Sequence, residues 1–281
     1  MTIVVTGATG HLGRLAVESL LARGVPADQI VAGGRSVEKI QDLADRGVRV
    51  VRASYDEPES LRAAFAGADR LLFVSGSEVG RRIEQHANVI AAAKDAGVGR
   101  IFYTSAPHAD TSDLILAGEH LATERALEAS GIPSVFLRNG WYVENYDLKG
   151  ALERGLFGAA GDGRISLATR ADLAEAAAAA VVADVHDKQA YELGGEAVTL
   201  AELAAEVSRQ SGREVTYTDL SQEKYAELLV GVGLPEQFAA ILADSDRGAS
   251  AGLLDTGTAD LAKLLGRPAT PLADAVRAAL A

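Results

Sequence analysis

Ile3-Val4-Val5-Thr6-Gly7-Ala8-Thr9-Gly10-His11-Leu12-Gly13 opens the chain with a β-branched run that passes directly into three glycines spaced three apart. The run Ile3–Thr6 predicts a strand, and a helical pattern begins at His11. The first glycine permits a sharp turn, and the second lets backbone approach an anion. The third lets the helix pack tightly on its own strand. Amide groups at the helix N-terminus, with the helix dipole behind them, then favour negative charge. Glycines also serve ordinary turns. In this strand–turn–helix setting, however, the pattern predicts a dinucleotide site built from Gly7, Ala8, Thr9, Gly10, His11 and Leu12.

Working outward, short β-branched runs alternate with helical patterns through the first half of the chain. Strands are expected at Ile30–Ala32, Val48–Val51, Leu71–Val74, Arg100–Tyr103 and Ser134–Leu137. Helices are expected at Leu12–Ala22, Val37–Asp45, Leu61–Phe65, Arg82–Ala96 and Glu119–Ala129. Such alternation forces parallel strands joined by right-handed crossovers. Gly24, Gly47, Gly67, Gly97 and Gly131 each follow a helical stretch, where a left-handed residue ends the helix.

After about residue 140 the rhythm changes. A glycine-rich stretch, Gly150 to Gly163, reads as a surface loop and is followed by an Ala-rich helix near Ala171–Ala183. A strand at Tyr191–Leu193 is expected to rejoin the sheet, and helices then dominate, interrupted by one strand at Glu214–Thr218. The fold class predicted is α/β, a Rossmann-type doubly wound parallel sheet with a smaller, mainly helical C-terminal substrate lobe. Residues 1–140, with a returning segment near 165–195, form the nucleotide-binding domain. Residues 141–164 and 196–281 form the lobe.

The second strand ends in Gly33-Gly34-Arg35-Ser36, where NAD enzymes usually place an acidic residue for the ribose hydroxyls. Arg35 offers a charge-assisted fork to a 2′-phosphate, with no carboxylate at the strand end opposing it. That position favours NADPH or NADP, with NADH the weaker ligand. Ser75, Gly76 and Ser77 follow the fourth strand, where small residues allow backbone contact with the coenzyme. Thr104-Ser105 occupies the comparable place after the fifth. Asp56 reads equally as an adenine-edge acceptor or as the cap of a helix starting near Pro58.

Composition narrows the class. With 281 residues, 48% of them hydrophobic, the chain can bury a substantial core. A net charge of −12 opposes nucleic-acid binding, which needs a positive face. There are no cysteines, and the five histidines (His11, His86, His108, His120, His186) lack metal-ligand spacing, so no metal site is expected. No apolar run approaches the roughly 20 residues of a membrane span. Thr2–Val5 already reads as a strand rather than a leader, and a cytoplasmic protein without a membrane partner is expected.

Six segments together carry a family resemblance. They are Gly7–Gly13, Ser77-Glu78-Val79-Gly80, and Tyr103-Thr104-Ser105 with His108–Ser112. Then come Leu137-Arg138-Asn139-Gly140-Trp141-Tyr142 running on to Glu144-Asn145-Tyr146, Ala168–Asp172 and Ala243-Asp244-Ser245-Asp246. In that order they resemble the type 2 NAD(P)H:quinone oxidoreductases, an NmrA-like branch of the atypical short-chain dehydrogenases. The resemblance implies NADPH held by Gly7–Leu12, Arg35, Ser75–Ser77 and the stretch Asn139, Gly140, Trp141 and Tyr142. It also implies a quinone or similar flat electrophile over the nicotinamide. One departure stands out: Gly34 replaces the larger apolar residue that commonly precedes the arginine in this family.

The expected chemistry starts from an absence. Ordinary short-chain dehydrogenases carry Tyr-x-x-x-Lys on the helix after the fifth strand, and none of the seven tyrosines here has a lysine four residues later. The equivalent helix carries His120-x-x-x-Glu124, which read either as a hydrogen-bonded pair on one face or as two exposed polar residues. Reducing a ketone generates a strongly basic alkoxide that must be protonated during hydride transfer. Hydride addition to a quinone gives a phenolate, whose conjugate acid has a pKa of about 10 if tyrosine is the guide. Positioning two flat rings then supplies much of the catalysis. Tyr142 and His120 are the candidate hydrogen-bond donors to the quinone oxygen. Trp141, Asn145, Tyr146 and His108 are the candidate substrate contacts, with core packing the alternative for Trp141. No flavin is required. Two rival functions stand beside quinone reduction: reduction of triphenylmethane dyes, azo compounds or other conjugated electrophiles, and a non-catalytic NmrA-like NADP(H)-sensing regulator. The oligomeric state stays open between homodimer and monomer.

Overall fold

In the computed structural model, which describes residues 1–183 and 186–281, the opening run forms β1 (Ile3–Val5), fully buried. It passes through the glycine bend into α1 (His11–Ala22). The elements then alternate: β2 (Ile30–Gly34), α2 (Gln41–Asp45), β3 (Arg49–Arg52), α3 (Pro58–Phe65), β4 (Arg70–Phe73), α4 (Arg82–Asp95), β5 (Arg100–Ser105), α5 (Ile115–Ser130) and β6 (Ser134–Asn139). Residues Val37–Ile40 form a 3-10 turn leading into α2, so the single helix expected over 37–45 is split.

The chain continues through β7 (Trp141–Tyr142), α6 (Leu148–Arg154), β8 (Leu156–Gly158), β9 (Ile165–Ala168) and α7 (Arg170–Val182). It ends with β10 (Ala190–Leu193), β11 (Ala197–Val198), α8 (Leu200–Ser211), β12 (Tyr217–Asp219), α9 (Gln222–Gly231), α10 (Glu236–Ser250), α11 (Ala259–Leu265) and α12 (Leu272–Leu280). The 150–163 stretch is therefore built rather than loop-like, since it contains the end of α6 and all of β8. The five glycines expected to end helices all have positive φ.

The main sheet has seven strands in the order β10-β6-β5-β4-β1-β2-β3. Pairings β3–β2, β2–β1, β1–β4, β4–β5 and β5–β6 are parallel. Strand order reverses between β1 and β4. Doubly wound sheets bind ligands at such a switch point, beyond the carboxyl ends of the strands. As expected from the sequence, the strand near Tyr191 rejoins this sheet, at its edge.

Packing divides the described chain into two units. The first comprises Met1–Ser105, Glu119–Arg138 and Arg170–Tyr191. Its core joins Leu61 and Phe65 of α3, Leu71 and Phe73 of β4, Val89 of α4, and Ile101 and Tyr103 of β5. Each such side chain contributes roughly 1.5–3 kcal/mol by leaving water. The Ala-rich α7 packs on α1, and its small side chains bury most of its surface.

The second unit comprises Ala106–Gly118, Asn139–Thr169 and Glu192–Ala281. It holds a three-stranded sheet, β11-β9-β7, and a two-stranded one, β12-β8. Trp141, Leu148, Ile165, Leu200 and Leu203 lie in its main core. Thr199 caps α8 through a reciprocal capping box with Glu202, which satisfies two amides at the helix start.

Candidate functional site

The bend after β1 leaves no space for side chains at its centre. Gly7 has φ +63°, and a Cβ on Gly13 would lie 2.3 Å from the Gly7 carbonyl oxygen. The bend is tied to β2 by the Ala8 amide, which donates to the Gly33 carbonyl at 2.9 Å. Gly10 is the N-cap of α1, so no side chain accepts from the first-turn amides, and that turn holds no acidic residue. A helix start of this kind suits a diphosphate. The cradle fits the coenzyme predicted for it.

Arg35 stands just past the end of β2, with its side chain 59% exposed. The sequence predicts no opposing carboxylate at this strand end. The structure supplies one from elsewhere: Arg35 donates to Glu78, 43 residues away, in the segment after β4. Arg81 also donates to Glu78 at 3.2 Å, and Gln85 does so at 3.2 Å. Asp56 does not cap α3, whose N-cap is Glu57 with no side-chain bond. Its carboxylate instead accepts from Arg81 at 2.6 Å and from Gln85 at 3.3 Å.

Ser75, Gly76 and Ser77 follow β4, and polar side chains hold this backbone from below. The Gly76 amide donates to His86 Nε2 at 2.9 Å, and Arg82 Nε donates to the Gly76 carbonyl at 2.6 Å. The Ser75 amide donates to Thr104 Oγ1 at 2.8 Å. Glu119 completes the assembly, accepting from Arg82 at 3.0 Å and from the Gly80 amide at 2.8 Å. Sequence reading missed Arg82, His86 and Glu119. A signal existed in α4, whose buried stripe runs Arg82, Gln85, His86, Val89 and Ala93. Polar residues on a buried helical face need partners.

On α5, His120 and Glu124 are neither paired with each other nor exposed, contrary to both sequence readings. They are 4% and 3% accessible. His120 Nδ1 lies 2.7 Å from the Tyr103 hydroxyl. Burial, with Arg82 nearby, holds the His120 pKa well below that of an ordinary histidine, and burial pushes the Tyr103 hydroxyl up. Both therefore stay neutral. Glu124 accepts a fork from Arg138 at 3.0 and 2.7 Å and a bond from Ser105 at 2.6 Å. Removing one member of so buried a pair would strand a charge.

The remaining predicted residues belong to the second unit. Gly140 donates to the Leu193 carbonyl at 2.7 Å, and a Cβ there would meet two carbonyl oxygens within 3.0 Å. Asn139 donates to the Tyr142 hydroxyl at 3.3 Å, and its Oδ1 is buried with no hydrogen-bond partner among the described residues. Trp141 is 8% exposed and packs in the unit's core, so core packing is one of its roles. Asn145 ends a 3-10 turn, Val143–Asn145. The Tyr146 hydroxyl is buried without a partner among the described residues. His108 has φ +50°, which is uncommon outside glycine, and its amide donates to Glu192 at 3.1 Å. Its Nε2 lies 3.0 Å from the Asp255 carbonyl oxygen. Among the described residues no group of three His, Cys, Asp or Glu is placed to hold a metal ion, and no helix is long and apolar enough to cross a membrane.

Comparison with known proteins agrees with this geometry. The family model described as NmrA-like family matches residues 1–265. Quinone oxidoreductase 2 of Escherichia coli (strain K12) is 52% identical over 278 residues, covering 98% of this chain and 97% of that protein. A crystal structure of an NADPH-dependent quinone oxidoreductase from Escherichia coli, complexed with NADPH, superposes with a TM-score of 0.95 at 51% identity, covering 99% of each chain. The Citrobacter sp. triphenylmethane reductase complexed with NADP(H) gives 0.93 at 43% identity, covering 99% of this chain and 100% of that one.

Proposed function

The chain belongs to the NmrA-like family, and from that premise we propose that it is an NADPH-dependent oxidoreductase whose substrate is a quinone. The observation that carries the reading is the glycine cradle at the sheet's switch point with Arg35 beside it. Gly7, Gly10 and Gly13 add no side chains to the bend, and no cap side chain accepts from the amides at the start of α1, which leaves them for a diphosphate. Arg35 is the residue that would receive the 2′-phosphate, and Ser75–Ser77 would line the path toward the nicotinamide. Bound NADPH supplies the hydride.

The chain's own residues then orient the acceptor and keep proton chemistry simple. His120 and Glu124 on α5 are buried and committed to Tyr103, Arg138 and Ser105, so neither is poised as a free acid. That suits an acceptor whose reduced form is a phenolate, which a modest hydrogen bond or water satisfies. Tyr142 is the donor we assign to the quinone oxygen. Asn139, with its unpartnered buried Oδ1, is assigned to hold the coenzyme's amide. Trp141, Asn145, Tyr146 and His108 are assigned to the substrate side, and Gly140, packed against the Leu193 and Ser166 backbone, is assigned with Asn139 to the coenzyme. A conjugated dye makes the same demands, and the likeness to the triphenylmethane reductase keeps that substrate class as the second reading.

The test is direct. Purified protein, NADPH and a panel of quinones and triphenylmethane dyes are mixed, and loss of nicotinamide absorbance is followed. Turnover faster with quinones than with dyes is expected. Dyes turned over faster would install the second reading, and no turnover with any acceptor would leave a coenzyme-sensing regulator.

A further inference from the structure

Glu78 has no part in the function as proposed so far, yet it is held firmly against the residue on which coenzyme choice depends. One carboxylate oxygen accepts from Arg35, and the other accepts from Arg81 and Gln85 at 3.2 Å each. Arg52 lies on the other side, donating to the Arg35 carbonyl at 3.2 Å and paired with Glu57. The rim thus carries three guanidinium groups, Arg35, Arg52 and Arg81, against three carboxylates, Asp56, Glu57 and Glu78. Before any ligand arrives these charges cancel.

A phosphate reaching Arg35 meets this arrangement head on. It carries about −1.5 to −2 at neutral pH and cannot share the guanidinium comfortably with a carboxylate. The Arg35–Glu78 bond has to open. Glu78 has somewhere to remain when it does, because Arg81 and Gln85 hold its second oxygen. An unphosphorylated ribose makes no such demand, and its hydroxyls donate readily to a carboxylate.

We infer that Glu78 is a built-in counter-anion, a specificity-determining residue that occupies Arg35, lowers affinity for the phosphorylated coenzyme and speeds its release. The inference rests on the reading that Arg35 receives the 2′-phosphate, and its test separates the two. The pair is partly exposed, so its effect is a modest factor and is screened by salt.

The measurement is coenzyme affinity by fluorescence titration, with dissociation rates by stopped flow, on wild type, Glu78→Gln, Arg35→Ala and the double variant. Glu78→Gln should tighten NADPH by about 3- to 10-fold at low ionic strength, mainly through slower dissociation, and the gain should shrink toward 1 M salt. NADH should bind unchanged or more weakly. In the Arg35→Ala background the gain from Glu78→Gln should vanish. Weaker or unchanged NADPH binding in Glu78→Gln, or equal tightening of NADPH and NADH, overturns the counter-anion role while leaving the clamp intact. If Arg35→Ala itself leaves NADPH affinity unaltered, the clamp reading has failed and the counter-anion role falls with it.

Discussion

His86 and Thr123 share a hydrogen bond of 2.8 Å through His86 Nδ1, while the opposite ring nitrogen, Nε2, accepts the Gly76 amide. An amide can only donate, so Nε2 must be unprotonated and the ring's proton must sit on Nδ1. The Thr123 hydroxyl oxygen accepts that hydrogen bond, and its O–H donates to the Glu119 carbonyl at 2.9 Å. Burial, aided by the charge of Arg82, pushes the His86 pKa down to about 3, so this neutral tautomer persists through the physiological range. A histidine buried in the first unit is therefore a fixed acceptor that shapes the Ser75–Ser77 backbone, the segment proposed to meet the coenzyme.

His86→Phe keeps the ring's contacts with Phe73 and Tyr103 but strands the Gly76 amide. The expected loss is about 1–3 kcal/mol in stability, with NADPH affinity falling about 5- to 20-fold as the Ser75–Ser77 backbone relaxes. His86→Gln places a carbonyl oxygen where Nε2 stood and should recover most of the affinity. Thermal melts and titrations on the two variants read both quantities. Equal affinity in the two variants would remove the acceptor from the account.

Gly34 is matched to Thr9 across the bend. A Cβ at residue 34 would lie 2.5 Å from Thr9 Cγ2 and 2.7 Å from Thr9 Oγ1. The missing side chain in this sequence thus makes room for a β-branched residue in the glycine loop. Gly34→Val should push Thr9 and the bend aside and weaken NADPH by about 5-fold or more, the cost of overpacking. Thr9→Ala alone should have a small effect, and Gly34→Val with Thr9→Ala should bind within about 2-fold of Thr9→Ala. If the paired change only adds the two losses, the two residues are not coupled.

Asp246 provides a pH signature in the second unit. Its carboxylate accepts the Ala159 amide at 2.9 Å, and burial, reinforced by the charge of Asp219, pushes its pKa from 3.8 up to about 7. Tyr146, Tyr217 and Tyr225 are pushed up too, mainly by burial and in part by the Asp246 charge. Between pH 3.8 and 7 the folded chain holds a proton here that the unfolded chain has lost, so this group's contribution falls as pH rises. Asp246→Asn retains an acceptor for Ala159 and removes the ionisation. Relative to wild type, its stability advantage should grow from near zero at about pH 4 to as much as about 4 kcal/mol above pH 7. Denaturant melts across that range test it, and a difference that stays flat with pH would exclude Asp246 as the titrating group.

Much of the fold was legible from local signals. β-branched runs, helical periodicity and left-handed glycines act within a few residues, so the alternation of strands and helices and a doubly wound parallel sheet could be anticipated, while the strand order and its switch point came from the tertiary structure. The 150–163 stretch misled because two of its glycines, Gly158 and Gly163, mark close packing rather than freedom. A Cβ at Gly158 would strike Asp246 and Leu200, and one at Gly163 would strike the backbone of Ala249. Those neighbours lie far along the chain, where no local pattern reaches.

The division within the proposed coenzyme site has the same origin. The sequence alone determined the cradle, because a glycine bend between strand and helix is a property of consecutive residues, and it placed Arg35 at the strand end next to it. Only the tertiary structure decided what each charged or polar side chain meets. Parallel crossovers bring Glu78 to Arg35, His86 to Gly76, and Arg138 to Glu124. Backbone conformation is governed by each residue and its immediate neighbours, whereas a buried or rim charge is governed by whichever distant group can satisfy it.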